Sequence, residues 1–345
     1  MGRAADGEEA RTAVPVYPRE RAVCGGVGCL SIPDRHHILA ETYQKQFIEE
    51  GKCVWVYDKE VGKPFPTQPK NSTVRTGFNT ALLPDGSLDK ASMETFFSRL
   101  ETEYPQAIDQ FRTGFQTSER IDYAIAFMQF QAARSPLIRK FMTEMLLGFT
   151  PDDESFLKLL QVDSVGVELL HRARSGDEDA KTKIGLHSTQ HIVEGVSKAL
   201  KGVWYRPIRI VSPIPLITSD SPVTYFAIKK KRGKLQAGLP LVGSRILCFF
   251  PLARDIILFG DTERPPFDKL TYDRPSQVSK SIALVKRLNA ISALNAERSI
   301  VAPSEKSLRK ALSSIANKTP NEATLFEMYN QLAKAALREN SVHWD

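Results

Sequence analysis

Three short stretches of this 345-residue chain contain the polar residues best suited to chemistry. Histidine side chains titrate near neutral pH, so the adjacent pair His36 and His37 suits general acid–base catalysis or contact with a phosphate. Gln131 and Arg134 are three residues apart in an apolar segment, so a helix would place their amide and guanidinium on one face. The run Thr218-Ser219-Asp220 ends a hydrophobic stretch, where hydroxyls and a carboxylate suit metal coordination or a general base.

Each of these groups also has a structural explanation. A lone histidine more often makes a structural hydrogen bond than it catalyses a reaction. A carboxylate such as Glu101 would neutralise Arg134 in its apolar surroundings. An Asx turn at Asp220 would shape a loop and nothing more. The sequence leaves the structural and the functional explanation open for all three.

A divalent metal would depend on two carboxylates, Asp220 and Asp58, and Mg²⁺ or Mn²⁺ is the ion that such oxygen ligands favour. Metal nucleases usually gather two or three carboxylates at one place. A zinc site built from Cys24, Cys29 and the two histidines would lack a second spaced pair of ligands. The cofactor is therefore unknown, and a metal-independent histidine mechanism is an alternative.

Positive charge is concentrated in one part of the chain. The whole chain has 47 Lys and Arg against 40 Asp and Glu. Residues 201–310 hold 20 against 8, which leaves 27 against 32 elsewhere. Lys229, Lys230, Lys231 and Arg232 are the densest cluster, and they would suit the backbone of a nucleic acid. The alternative is a soluble hairpin turn with Gly233 at its tip.

Element patterns predict an α+β fold, predominantly helical, with a central antiparallel sheet of about four to six strands. Residues 1–32 are expected to form a flexible leader before one domain over 33–345. Within that domain, helices are expected over about 87–201, the sheet over about 202–260, and further helices over about 276–340. Asp34 is predicted to cap a helix that carries the two histidines, and Pro136 to interrupt a helix spanning residues 119–147.

The composition excludes an integral membrane protein and argues against secretion. No run approaches the roughly 18 apolar residues that a membrane-spanning helix needs. Glu8, Glu9 and Pro15 stand where a signal peptide needs an apolar core. Four scattered cysteines do not form a disulfide framework. We therefore expect a cytoplasmic protein; its oligomeric state is unknown.

Several short motifs, in order over about residues 35–300, resemble an uncharacterised and mostly bacterial family, domain of unknown function 4238. They are His36-His37-Ile38 with Tyr43 and Phe47, Val54 to Lys59, Phe78-Asn79-Thr80, Leu100-Glu101, Gln131 to Pro136, Thr218 to Val223, Phe250-Pro251-Leu252 and Leu288-Asn289. The resemblance brings no known activity. It implies that the polar residues His36, His37, Asp58, Gln131, Arg134, Asp220 and Asn289 converge.

Together these features favour a phosphodiester-cleaving enzyme, nuclease-like, with a role in defence or as a toxin. His36 or His37 would be the general acid or base, Arg134 would hold the phosphate, and Asp220 would bind a metal or orient the histidine. Substrate contacts would come from Gln131, Ser219, Asn289 and Lys229–Arg232. Two alternatives remain: a non-catalytic module that binds or senses nucleic acid or nucleotide, and a purely structural polar network.

Overall fold

The described residues build two main sheets with helices packed against them. The structure is a computed structural model, and it describes residues 35–82, 87–89, 92–113, 117–148, 164–181, 183–185, 203–229, 234–237, 245–262, 277–279 and 282–315. All of these lie in the unit Pro33–Asp345. The predicted leader, the cluster Lys230–Arg232 and the part of the predicted C-terminal helices beyond residue 315 lie outside the described residues.

The strands are β1 (Arg35–His37), β2 (Val54–Asp58), β3 (Lys63–Thr67), β4 (Val74–Thr76), β5 (Ala81–Leu82), β6 (Leu88–Asp89), β7 (Trp204–Ile210), β8 (Thr218–Ser219), β9 (Thr224–Lys229), β10 (Lys234–Ala237), β11 (Arg245–Ala253), β12 (Ile256–Asp261), β13 (Gln277–Ser279) and β14 (Ser299–Ala302). The helices are α1 (Glu41–Lys45), α2 (Ser92–Thr113), α3 (Ser118–Ala133), α4 (Pro136–Gly148), α5 (Ser164–Arg174), α6 (Ile282–Asn295) and α7 (Glu305–Ile315). A short 3₁₀ turn spans Pro69–Asn71.

The larger sheet has six strands in the order β10-β9-β11-β12-β7-β13. Its pairs are antiparallel except for β13, which runs parallel to β7. Strands β11 and β12 are apolar at successive positions because the sheet is covered on both faces. Phe250 and Leu258 pack with Phe127 of α3 on one face, while Phe249 and Ile257 pack under α6 on the other. The predicted α+β class with a central, mainly antiparallel sheet is confirmed.

The smaller sheet has four strands in the order β3-β2-β14-β8. One of its two inner strands, β14, is only four residues long and wholly buried, and no pattern in the sequence predicted it. β14 pairs Ser299 with Asp58 of β2 and Ile300 with Ser219 of β8. Two carboxylates that are far apart in the sequence, Asp58 and Asp220, therefore lie at the same end of one short strand.

The predicted helix at the histidine pair is wrong. His36 and His37 belong to β1, which pairs antiparallel with β4, and the first helix begins at Glu41. A three-residue strand is too short to show alternation, and its pairing partner lies almost 40 residues away in the chain. Successive side chains of a strand point to opposite faces. His36 is fully buried and His37 is half-buried.

The predicted break before Pro136 is confirmed. Arg134 is the C-cap of α3, and its backbone N–H donates to the Phe130 carbonyl at 3.0 Å. α4 then starts at Pro136, which cannot donate a backbone hydrogen bond and so suits the first turn of a helix. This junction fixes the direction of the Arg134 side chain.

Candidate functional site

The candidate site lies where β1 meets α2 and the junction between α3 and α4. His37 of β1 interacts electrostatically with Glu94 and Glu101 of α2 and with Arg134 at the end of α3. Glu94 and Glu101 are seven residues apart, which places them on one face of α2 two turns from each other. We call His37, Gln131 and Arg134, together with these two glutamates, the His37 cluster.

Arg134 is the buried cation of the His37 cluster. Its side chain is 1% exposed, and Nη1 donates to Oε1 of Glu101 at 2.8 Å. The guanidinium carbon lies 3.7 Å from the centre of the Phe97 ring, which fixes the plane of the group. The structural partner that the sequence offered for Arg134 is thus present. Nε of Arg134 nevertheless has no hydrogen-bond partner in the described part of the chain.

Two further atoms of the cluster are buried without a partner. Oε1 of Gln131, one turn before Arg134 in α3, and Nδ1 of His37 make no hydrogen bond to any described residue. Buried polar atoms are satisfied in the great majority of cases, and an unsatisfied one calls for an explanation such as a bound molecule. Three such atoms lie in residues of two motifs, His-His and Gln-x-x-Arg, and each lacks a hydrogen-bond partner among the described residues.

The surroundings of His37 lower its pKa. Burial is the largest cause, Glu101 opposes it, and the positive charge of Arg134 adds to it, while Glu94 and Glu41 oppose it more weakly. The imidazole is therefore mainly neutral at pH 7. A neutral imidazole with an unpaired ring nitrogen is able to accept a proton.

His36 has a different environment. Its Nδ1 accepts the backbone N–H of Asn79 at 2.7 Å, so the proton of the neutral ring is on Nε2. The Asn79 side chain lies between a cation and an anion: Oδ1 accepts from Arg139 at 2.9 Å and Nδ2 donates to Glu94 at 2.6 Å. Nδ2 also contacts the His37 carbonyl at 3.4 Å. Asn79 therefore ties β1 to α2 and α4.

No sequence pattern assigned a role to Asn79, Glu94 or Arg139. Arg139 is 8% exposed and donates to three oxygens, those of the Ala133 and Phe78 carbonyls and of Asn79. Burial, followed by the charges of Arg134 and Arg75, lowers the pKa of Arg139 to about 9, so it remains a cation at neutral pH. The Phe78-Asn79-Thr80 motif was the signal that pointed to Asn79. Arg139 gave none, because an arginine in an amphipathic helix usually faces solvent.

Asp220 is 0% exposed and its carboxylate accepts three backbone N–H groups. These belong to Glu297 at 2.9 Å, Arg298 at 2.8 Å and Ser299 at 2.9 Å. Burial raises the pKa of Asp220, and the three hydrogen bonds oppose that rise. The carboxylate thus fixes the segment that leads into β14.

Asp58 holds the same segment from the other side. Its Oδ2 accepts from Nε of Arg298 at 2.8 Å, and its Oδ1 accepts the Glu60 N–H at 2.9 Å. Burial tends to raise the pKa of Asp58, but the bond from Arg298 and the turn N–H groups outweigh it and leave the pKa lowered. Both carboxylates predicted as metal ligands therefore have protein donors. Within the described ranges, no group of three His, Cys, Asp or Glu is placed to hold a metal ion.

Ser219 and Asn289, predicted to contact substrate, bond to backbone groups. Ser219 Oγ accepts the Ser221 N–H at 3.3 Å. Asn289 joins α6 to the chain before β8, since its Oδ1 accepts from Ile217 at 3.1 Å and its Nδ2 donates to Pro215 at 2.8 Å. The structure does not describe the side chain of Lys229 or residues 230–232, so the basic cluster stays a prediction.

In the described part of the chain, no helix is long and apolar enough to cross a membrane. Neither the curated proteins nor the solved structures contain a match to this chain. A family model described as protein of unknown function, DUF4238, matches residues 35–306. That range takes in β1, the α3–α4 junction, β8 and β14, which carry the motif residues described above. The chain belongs to the DUF4238 family of proteins of unknown function.

Proposed function

We propose that the protein cleaves phosphodiesters at the His37 cluster, with His37 as the acid–base group and Arg134 as the phosphate contact. The observation that carries this proposal is the set of three buried, unpaired polar atoms, His37 Nδ1, Gln131 Oε1 and Arg134 Nε. The phosphate of a bound substrate would accept the Nε–H of Arg134, and a hydroxyl beside that phosphate would donate to Nδ1 of His37.

The role of His37 follows from its charge state. Burial keeps the imidazole mainly neutral at pH 7, and a neutral ring is the form that accepts a proton from an attacking hydroxyl. A positioned base of this kind contributes roughly 10²- to 10⁴-fold in rate. His36 supports it by holding Asn79, and so the backbone of β1, in place.

The role of Arg134 follows from its geometry. The Phe97 ring and the bond to Glu101 fix the guanidinium plane, which leaves the Nε–H as a positioned donor. Arginine suits phosphate because it is always charged and offers several donors in one plane. Gln131 adds an amide on the same helical face, where it is able to accept from a hydroxyl of the substrate.

Asp220 has an orienting role in this proposal. Its three backbone bonds hold the segment before β14, where Glu297 pairs with Arg75 of β4 at 3.5 Å. β4 in turn pairs with β1, so this connection links the segment before β14 to the histidine strand. A divalent ion at Asp220 or Asp58 would have to displace these donors.

The test compares the wild type with His37→Gln on labelled oligonucleotides, with and without EDTA. We expect His37→Gln to cut at least about 100-fold more slowly because it loses the proton acceptor. His171→Gln, which changes an exposed histidine of α5, is the matched control and should retain the wild-type rate. Circular dichroism checks that each variant folds. Full activity in a folded His37→Gln protein would contradict the assignment.

A second candidate is a non-catalytic module that binds a nucleic acid or nucleotide. Acid–base cleavage generally uses both a base and an acid. His37 is the single imidazole among the five residues of the His37 cluster, and this favours binding without cleavage. Salt-dependent binding without cleavage by the wild type, weakened in Arg134→Gln, would support this candidate over the enzyme.

We propose that either function operates in a reducing cytoplasm. The four cysteines are scattered along the chain, and the two that the structure describes, Cys53 and Cys248, are free thiols. Burial strongly raises the pKa of the Cys248 thiol, so it stays protonated.

A further inference from the structure

We propose that the substrate of the His37 cluster is RNA and that the 2′-hydroxyl of the substrate is the nucleophile. This inference rests on the proposed function. Two observations support it: the cluster supplies a base and a phosphate contact, and the carboxylates of Asp58 and Asp220 are hydrogen-bonded to the protein itself.

The carboxylates predicted to serve a metal are committed to the protein itself. Asp220 accepts three backbone N–H groups at 2.8–2.9 Å, and Asp58 accepts from the Arg298 guanidinium at 2.8 Å. Removing either set of bonds would release the chain that enters β14. Activation of an external water by a metal held there would therefore work against the fold.

The histidine pair does not supply two catalytic bases. Nδ1 of His36 accepts the Asn79 N–H, and the strand geometry of β1 directs His36 and His37 to opposite faces. His37 alone has its Nδ1 unpaired within the described residues while its pKa is lowered. One neutral imidazole is enough when the nucleophile is already part of the substrate.

RNA carries such a nucleophile. Its 2′-hydroxyl is on the sugar carbon adjacent to the one that carries the phosphate. This intramolecular position replaces much of the activation that an external water would need. DNA lacks that hydroxyl. The hydroxyl also gives Gln131 Oε1, a buried acceptor, a donor to pair with.

The reaction is a transesterification that needs no further reactant. The 2′-hydroxyl gives its proton to His37 while the bond from O2′ to phosphorus forms and the bond from phosphorus to O5′ breaks. The departing O5′ takes a proton from water, and the proton on His37 neutralises the hydroxide that remains. The products are a 2′,3′-cyclic phosphate and a 5′-hydroxyl. Arg134 stabilises the charge on the phosphoryl oxygens.

The experiment offers three oligonucleotides of one sequence: RNA, DNA, and RNA with every 2′-hydroxyl methylated. Each is incubated with the full-length protein in EDTA or in Mg²⁺, and mass spectrometry identifies the ends. We expect cleavage of RNA alone, in both buffers, with 2′,3′-cyclic phosphate ends, and a loss of at least about 100-fold in His37→Gln.

The outcomes separate this inference from the proposed function. Cleavage of DNA or methylated RNA at a rate similar to that of RNA overturns the RNA inference and leaves phosphodiester cleavage standing. Ends that carry a 5′-phosphate, or activity abolished by EDTA, would also overturn the RNA inference and leave phosphodiester cleavage standing. If the folded wild-type protein cleaves none of the three, both proposals fall.

Discussion

At the scale of single residues, neighbouring positions have different roles. His36 is fully buried and accepts a hydrogen bond from Asn79, whereas His37 is half-buried with an unpaired Nδ1 within the described residues. The His-His pattern was visible in the sequence, but the division of roles was not, because it depends on which face of β1 each side chain occupies. The Phe78-Asn79-Thr80 motif pointed to Asn79, but only the structure shows its bonds to residues on three other elements.

The lowered pKa of His37 predicts how pH affects stability. The folded protein binds this proton more weakly than the unfolded chain, whose histidines titrate at about pH 6.5. Stability is therefore lost as the pH falls below about 6.5. We expect His37→Gln to lose less stability than the wild type between pH 7 and pH 5, measured by urea denaturation. A steeper acid loss in the variant would show that the folded protein favours the charged ring.

At the scale of elements, the segment leading into β14 depends on side chains from elsewhere. Asp220 accepts from three consecutive amides, and Asp58 accepts from the side chain of Arg298. The side chain of Lys59 also donates to the Ala296 carbonyl. The Thr-Ser-Asp motif was recognised in the sequence as a turn or a metal site. Its partner was not, because Asp220 and Arg298 are 78 positions apart.

We expect Asp220→Ala to lose about 3 kcal/mol of unfolding free energy, since three amides, the one of Ser299 buried, would lose their acceptor. In hydrogen–deuterium exchange the amides of Glu297, Arg298 and Ser299 should exchange faster in the variant. Asp122→Ala is the matched control, because Asp122 is an exposed carboxylate of α3. Unchanged protection of those three amides in Asp220→Ala would refute the anchoring role.

At the scale of the whole described structure, the six-stranded sheet is the layer between two hydrophobic clusters. Gly260 of β12 pairs with Cys248 of β11 and with Tyr205 of β7, so these residues form a row across the sheet. A Cβ on Gly260 would lie 2.7 Å from the Tyr205 ring and 2.9 Å from the Val203 side chain. The glycine is therefore what allows the tyrosine ring to cover the sheet.

Gly260→Ala should destabilise the protein by about 1–3 kcal/mol, because the added methyl overpacks the row. Gly148→Ala is the control, since a Cβ there meets nothing within 4 Å and Gly148 lies in a helix. Thermal and urea denaturation of both variants provide the measurement. Equal stability of Gly260→Ala and the wild type would mean that Tyr205 moves aside at little cost.

The sequence by itself determined the α+β class with a mainly antiparallel sheet, and the break at Pro136. These features depend on local signals: alternation, apolar runs and the missing donor of proline. The contacts of Asn79 with Glu94 and Arg139 were decided only by the tertiary structure. So were the pairing of β14 and the placing of His36 and His37 in a strand. Each of these rests on contacts between residues far apart in the chain, which leave no local pattern to read.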